Sequence, residues 1–213
     1  MNTGRLNDVV AGRVPAPLPF TVEQFHKMVG QGILVEGDPV ELIDGVVMHK
    51  DRAAVGEGRM VHGRRHAATI AQIQRLLEQH TGRYDCHIRT QLPVTLSKTS
   101  EPEPDLALVE GAPNRYLARH PAATDVLVVV EVADSSLDYD RRTKCALYAA
   151  SGIATYWIVN LIDDQIEVYA LPDKRKRRYS RQTVYAMSHS VSLRLSDGTS
   201  IELAVKDLIP AGA

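Results

Sequence analysis

The chain has 213 residues, 44% of them hydrophobic and 24% charged, with a net charge of -1. That length supports one sizeable α/β domain, and the ordinary composition excludes a disordered tail. The near-neutral balance excludes a whole-protein basic field, so any surface for nucleic acid must be local.

Two cysteines, Cys86 and Cys145, make neither a disulfide framework nor a metal-type spacing. They fit a reduced compartment, and the cytoplasm is the expected location. No apolar run approaches membrane-spanning length, and the N-terminus lacks the apolar stretch of a secretion signal, so no membrane partner is expected.

Residues 1–19 are polar and then proline-rich, which predicts a flexible arm. A first helix starts at Thr21, where Thr21 and Gln24 have the capping-box pattern, and Gly30 and Gly32 end it. Asp44-Gly45, between the apolar runs Val40–Ile43 and Val46–Met48, predicts a tight hairpin. Residues 50–60 read as a loop. A long helix follows from about Val61 to His80, with His62, His66, Ile70, Ile73 and Leu77 on one stripe. Strands are predicted at Tyr84–Arg89, Gln91–Leu96 and Leu106–Val109, the last opened by Pro104-Asp105.

The central stretch runs from Asp125 to Tyr148. Val126–Val130 is an unbroken β-branched run, the pattern of a strand buried on both faces. Glu131 follows near its end, and a carboxylate there is costly unless paired or bound. Asp134, Ser135 and Ser136 are capping residues for a helix to about Ser151, stopped by Gly152. On that helix Asp140, Lys144 and Tyr148 are four apart and share a face. A strand at Thr155–Asn160, a turn at Asp163-Asp164 and a strand at Ile166–Leu171 come next. The basic run Lys174–Arg178 falls in a turn. Strands at Gln182–Met187, Val191–Leu195 and Ser200–Leu203 and a short helix at Val205–Ile209 form a β-rich tail. Its apolar alternation suggests a pairing surface for a second copy.

Each chemically suggestive residue has a plainer role beside it. Glu131 could be held by a structural ion pair to Lys144 or Arg141, Lys144 could pair with Asp140 on a solvated face, and Glu41 could face solvent from a half-buried strand. His62 and His66 are an i, i+4 pair, but the segment His-Gly-Arg-Arg-His lacks the glutamate of a zinc-protease helix. A place lining a cleft suits His66 better. No nucleophile triad and no glycine-rich phosphate loop is present.

Taken in order, Glu41-Leu42-Ile43-Asp44-Gly45, His66, Pro104-Asp105, Glu131-Val132, Asp140-Arg141, Lys144 and Tyr156-Trp157-Ile158-Val159 resemble the Uma-type family of restriction-endonuclease-like proteins, within the PD-(D/E)xK nuclease superfamily. The likeness spans roughly Phe20 to Leu171. It implies an α/β fold, a mixed central sheet flanked by helices, with the β-rich C-terminal stretch as an extension. The expected division is an arm at 1–19, a nuclease-like domain at 20–171, and an extension at 172–213 packed on the same domain. It implies an endonuclease hydrolysing phosphodiester bonds in DNA with magnesium, or manganese in its place, and a homodimer. Asp105 and Glu131 would be the metal carboxylates, with the Val132 carbonyl as a further ligand. Lys144 would be the catalytic lysine and Glu41 a supporting acid; His66, Asp140 and Tyr148 are further cleft candidates. The superfamily usually places its lysine two residues after the second acid, where this chain has Ala133. That departure motivates the alternative of a non-catalytic descendant that binds nucleic acid or a protein partner.

Overall fold

The structure, a computed structural model, describes residues 17–35, 37–50 and 63–211. The predicted arm up to residue 16, the loop from 51 and His62 lie outside the described residues.

The β-branched run forms the strand β5, Val126–Ala133, and alternation along it sorts the molecule into two layers. Val128, Val130 and Val132 face one way and pack with Ile70, Ile73 and Leu77 of the helix α2, Arg64–Thr81. Val129 and Ala133 face the other way, among Leu137, Cys145, Tyr148 and Tyr156. Glu131 has the parity of this second face. That parity aims a carboxylate at the helix following the strand.

Six strands make the central sheet, in the order β3-β4-β5-β6-β7-β8. They are Cys86–Thr90, Leu106–Glu110, β5, Thr155–Asn160, Gln165–Asp173 and Arg178–Ala186. Only β5 and β6 run parallel, joined through a helical segment between them, and all other neighbours are antiparallel. This is the expected mixed sheet flanked by helices.

Local signals hold where the chemistry is local. Thr21 caps the helix α1, Val22–Gly30, in a complete capping box with Gln24. Asp44 and Gly45 turn the hairpin of β1, Val40–Ile43, and β2, Val46–His49, with φ of 48° and 79°. That turn needs two positive φ angles, which Asp tolerates and Gly adopts freely.

Three differences have physical causes. Gln91–Leu96 forms no strand: Gln91 turns away at φ 50°, Pro93 offers no N–H, and Val94 bonds the carbonyl of Pro102 instead of a sheet neighbour. The helix after β5 starts at Leu137, and its middle is a π-helical turn: Leu137–Tyr139, the π turn Asp140–Lys144, then Cys145–Ser151, here together called α3. Finally, β9, Ser190–Arg194, and β10, Ser200–Ala204, form a separate hairpin whose inner side chains, with the short helix α4, Val205–Leu208, complete the layer around α2. The apolar side chains of Val191, Leu193 and Leu195 are therefore covered by the chain's own core. In that tail Val184 on the edge strand β8 stays exposed.

Candidate functional site

The strands β4 and β5 are antiparallel neighbours, with Leu106 opposite Val130. Asp105, the residue before β4, therefore lands beside Glu131. The two are locked by backbone: the Asp105 amide donates to Glu131 Oε2 at 3.2 Å, and the Val132 amide donates to Asp105 Oδ2 at 2.8 Å. Both acids line a cleft of about 760 Å³, whose walls also include Glu41, His66, Val132, Asp140 and Lys144. Of the sequence candidates, Tyr148 alone is absent from the walls. It lies fully buried behind Glu131 and donates to Oε1 at 2.6 Å.

The helix α3 presents its charged face to this strand end. Lys144 Nζ lies 2.7 Å from Glu41 Oε2 and 3.4 Å from Glu131 Oε1, with all three side chains buried. Glu41 arrives from the β1–β2 hairpin, outside the central sheet, and also accepts the amide of Glu103. Arg141, one of the two cations proposed for Glu131 on sequence grounds, points elsewhere. It clasps the buried Glu167 on β7 with Nε and Nη2. Asp140 does not pair with Lys144; it takes the hydroxyl of Ser136 at 2.6 Å. Glu41 does not face solvent.

One ammonium among several acids leaves negative charge unbalanced. Lys144 stands nearest Glu41, and Glu131 bears the deficit: burial pushes its carboxyl up to about 8, against the attraction of Lys144. Burial likewise pushes Asp140 up to about 6. For Lys144, burial favours the neutral amine, but Glu131 and Glu41 outweigh it and hold the ammonium. His66 Nε2 stands 3.3 Å from Asp105 Oδ2; burial opposes its charging, while the bond to Asp105 favours it and prevails.

A divalent cation answers such an excess of negative charge, and hard carboxylate oxygens suit magnesium. Asp105 and Glu131, already fixed to one another, fit that role. The helical turn matters too. A π turn inserts one residue relative to an α-helix and is common at functional sites. Across it Arg141 reaches Glu167 on β7 and Lys144 reaches Glu41.

Sequence reasoning missed other wall residues. Glu103 lines the cleft and pairs with Lys50, and Gln91, Ser136 and Tyr139 also contribute. The run Glu101-Pro102-Glu103-Pro104-Asp105 was a usable signal for Glu103, since prolines stiffen it and put alternate acids on one side.

The comparisons bear on this geometry. The family Uma2, described as "Putative restriction endonuclease", matches residues 22–206. No curated protein matches the chain. A solved structure from Anabaena variabilis, described as "a putative nuclease belonging to DUF820", superposes with a TM-score of 0.64 at 17% identity, covering 90% of this chain and 98% of that one. At that identity the likeness speaks for the fold. The family match covers the whole central sheet and every wall residue named above, and by it this chain belongs to the Uma2 family.

Proposed function

We propose that this protein is a metal-dependent endonuclease acting on DNA, with Asp105 and Glu131 as the metal carboxylates. The observation that carries the reading is the interlock of those two acids at the end of neighbouring strands, with Lys144 within 3.4 Å of Glu131. A bound magnesium, or manganese in its place, would supply Lewis-acid activation of water and charge neutralisation at the phosphate. Asp105 and Glu131 would hold it, with the Val132 carbonyl beside them. Lys144 would orient the attacking water and offset charge on the phosphate, while Glu41 fixes the ammonium in place. Tyr148 holds one Glu131 oxygen, and so aims the other. His66, against Asp105 at the cleft wall, is placed to receive a proton or a phosphate oxygen.

We take residues 20–171 as the catalytic unit and 172–213 as its extension. We place the protein in the cytoplasm, a reading supported by its two free thiols. Cutting both strands of DNA asks for two sites, so we propose a homodimer, for which the open edge of β8 is the available surface.

A second reading has its own support. Position 133, where the superfamily carries its lysine, is a buried alanine, and Lys144 is already engaged by Glu41. A non-catalytic module that binds nucleic acid or a partner would fit those two facts.

The deciding experiment is magnesium and manganese titration by calorimetry, beside a plasmid-nicking assay and light scattering. It uses wild type, Asp105→Asn and Glu131→Gln. The nuclease reading expects metal binding and nicking by a dimer, with both activities falling at least a hundredfold in each variant. Wild-type protein that binds neither metal would establish the module, and nicking that survives both substitutions would sink the assignment of these acids. A monomeric mass would remove the dimer.

A further inference from the structure

A second cluster lies farther back along the segment that carries Asp105. Among the described residues, one trio of His, Cys, Asp or Glu side chains brings its ligand atoms within 4.8 Å of one another: His26, Glu101 and His120. The three come from separate parts of the chain. His26 is on α1, Glu101 is in the extended segment paired to Leu42, and His120 is in the connection between β4 and β5. None of them lines the cleft.

The trio is ordered in the manner of a ligand set. Glu101 is buried, 2% exposed, and its two oxygens are divided between two partners. Oε1 meets His26 Nε2 at 2.5 Å, and Oε2 accepts the Thr95 hydroxyl at 2.5 Å. A carboxylate with one oxygen pinned by a hydroxyl and the other turned toward an imidazole is the outer support that ligating groups commonly have. The His26 and His120 rings meet edge to face, 77° apart, with centroids at 5.9 Å. Ligand atoms about 2.0–2.1 Å from a tetrahedral ion stand a little over 3 Å apart. Reaching that arrangement takes small side-chain rotations, and half of the His26 side chain is exposed and able to make them.

We propose that His26, Glu101 and His120 form a binding site for a transition-metal ion of the zinc class, separate from the carboxylate cleft. The two imidazoles are borderline donors, which select zinc-class ions over magnesium, and a single carboxylate beside them is a donor zinc also accepts. The open fourth position falls to water on the exposed side of His26. One cation stands near: Arg89 Nη2 is 3.4 Å from His120 Nδ1, and Glu103, two residues from Glu101, offsets it. The ion would clip α1 and the β4–β5 connection onto the segment 101–105. That segment is stiffened by Pro102 and Pro104 and carries Asp105 at its far end.

The test is zinc titration by calorimetry, with cobalt absorption as a second readout of coordination, on Asp105→Asn protein so that the cleft is impaired. One equivalent of zinc is expected. Adding His26→Ala, at a half-exposed position and with folding checked by its melting curve, should weaken it at least tenfold and abolish the tetrahedral cobalt bands. His120→Ala should do the same. Zinc should also raise the melting temperature of the parent and leave that of the His26→Ala protein unmoved. Absence of zinc binding in the parent, or binding unchanged by His26→Ala, would overturn the site and leave the His26–Glu101 contact as a hydrogen bond alone.

Discussion

At the scale of residues, the molecule treats its buried acids in two ways. Around the cleft they are crowded against one another, and burial raises Glu131 and Asp140. At Asp125, which opens the central strand, the reverse holds. Arg115 reaches Oδ1 at 3.0 Å, and Arg119 and the Ala122 amide both reach Oδ2 at 2.8 Å. Burial pushes this carboxyl up, but the bonds from Arg119 and the Ala122 amide outweigh it and hold the carboxyl below its ordinary value. A depressed carboxyl stabilises the folded state above its unfolded value, about 3.9, and loses that contribution as pH falls through the folded value. Asp125→Asn should therefore cost about 1–2 kcal/mol at pH 7, the arginines being half exposed. The cost should shrink toward zero as the pH falls from about 3.9 through the lower folded value. Urea unfolding of both proteins across that range checks it; a difference that stays constant with pH would show that the bonds do not depend on the charge.

At the scale of elements, α3 separates what was legible in the sequence from what was not. The strand Val126–Ala133, the Asp44-Gly45 turn, the Thr21 cap and the Gly152 stop were readable because each rests on neighbours a few residues away. The shared face of Asp140, Lys144 and Tyr148 was readable too. The π turn was not, since its residues are ordinary helix formers and the extra residue is imposed from outside, by Glu167 on one side and Glu41 on the other. The same limit hid the trio of His26, Glu101 and His120, whose members meet only through the tertiary fold. Deleting the exposed Thr143 should close the π turn into a regular α-helix and leave Arg141 and Lys144 two residues apart, about 200° around its axis. The helix then cannot keep both acids. Circular dichroism should show helix content retained, while metal-dependent nicking falls by at least a hundredfold; undiminished nicking would mean that Lys144 need not be held at Glu41.

At the scale of the whole molecule, the C-terminal stretch is structural as well as peripheral. Val191, Leu193, Leu195, Leu203, Val205, Leu208 and Ile209 are all buried in the layer that contains α2 and Trp157. Burying each such side chain contributes about 1.5–3 kcal/mol. Seven of them together match the entire net stability of a domain, about 5–15 kcal/mol. A chain ending at Leu171 should thus fail to unfold cooperatively in urea, although it holds every proposed metal and catalytic residue. A sharp transition in that truncated chain would show that the first 171 residues fold alone.

The position of those seven residues also sets an order in time. Lys144 and Glu41 are 103 positions apart, and the layer beneath β5 is complete only with Ile209 in place. During synthesis every acid of the cleft emerges before the side chains that close that layer. The acids are thus made before the layer that steadies the sheet beneath them.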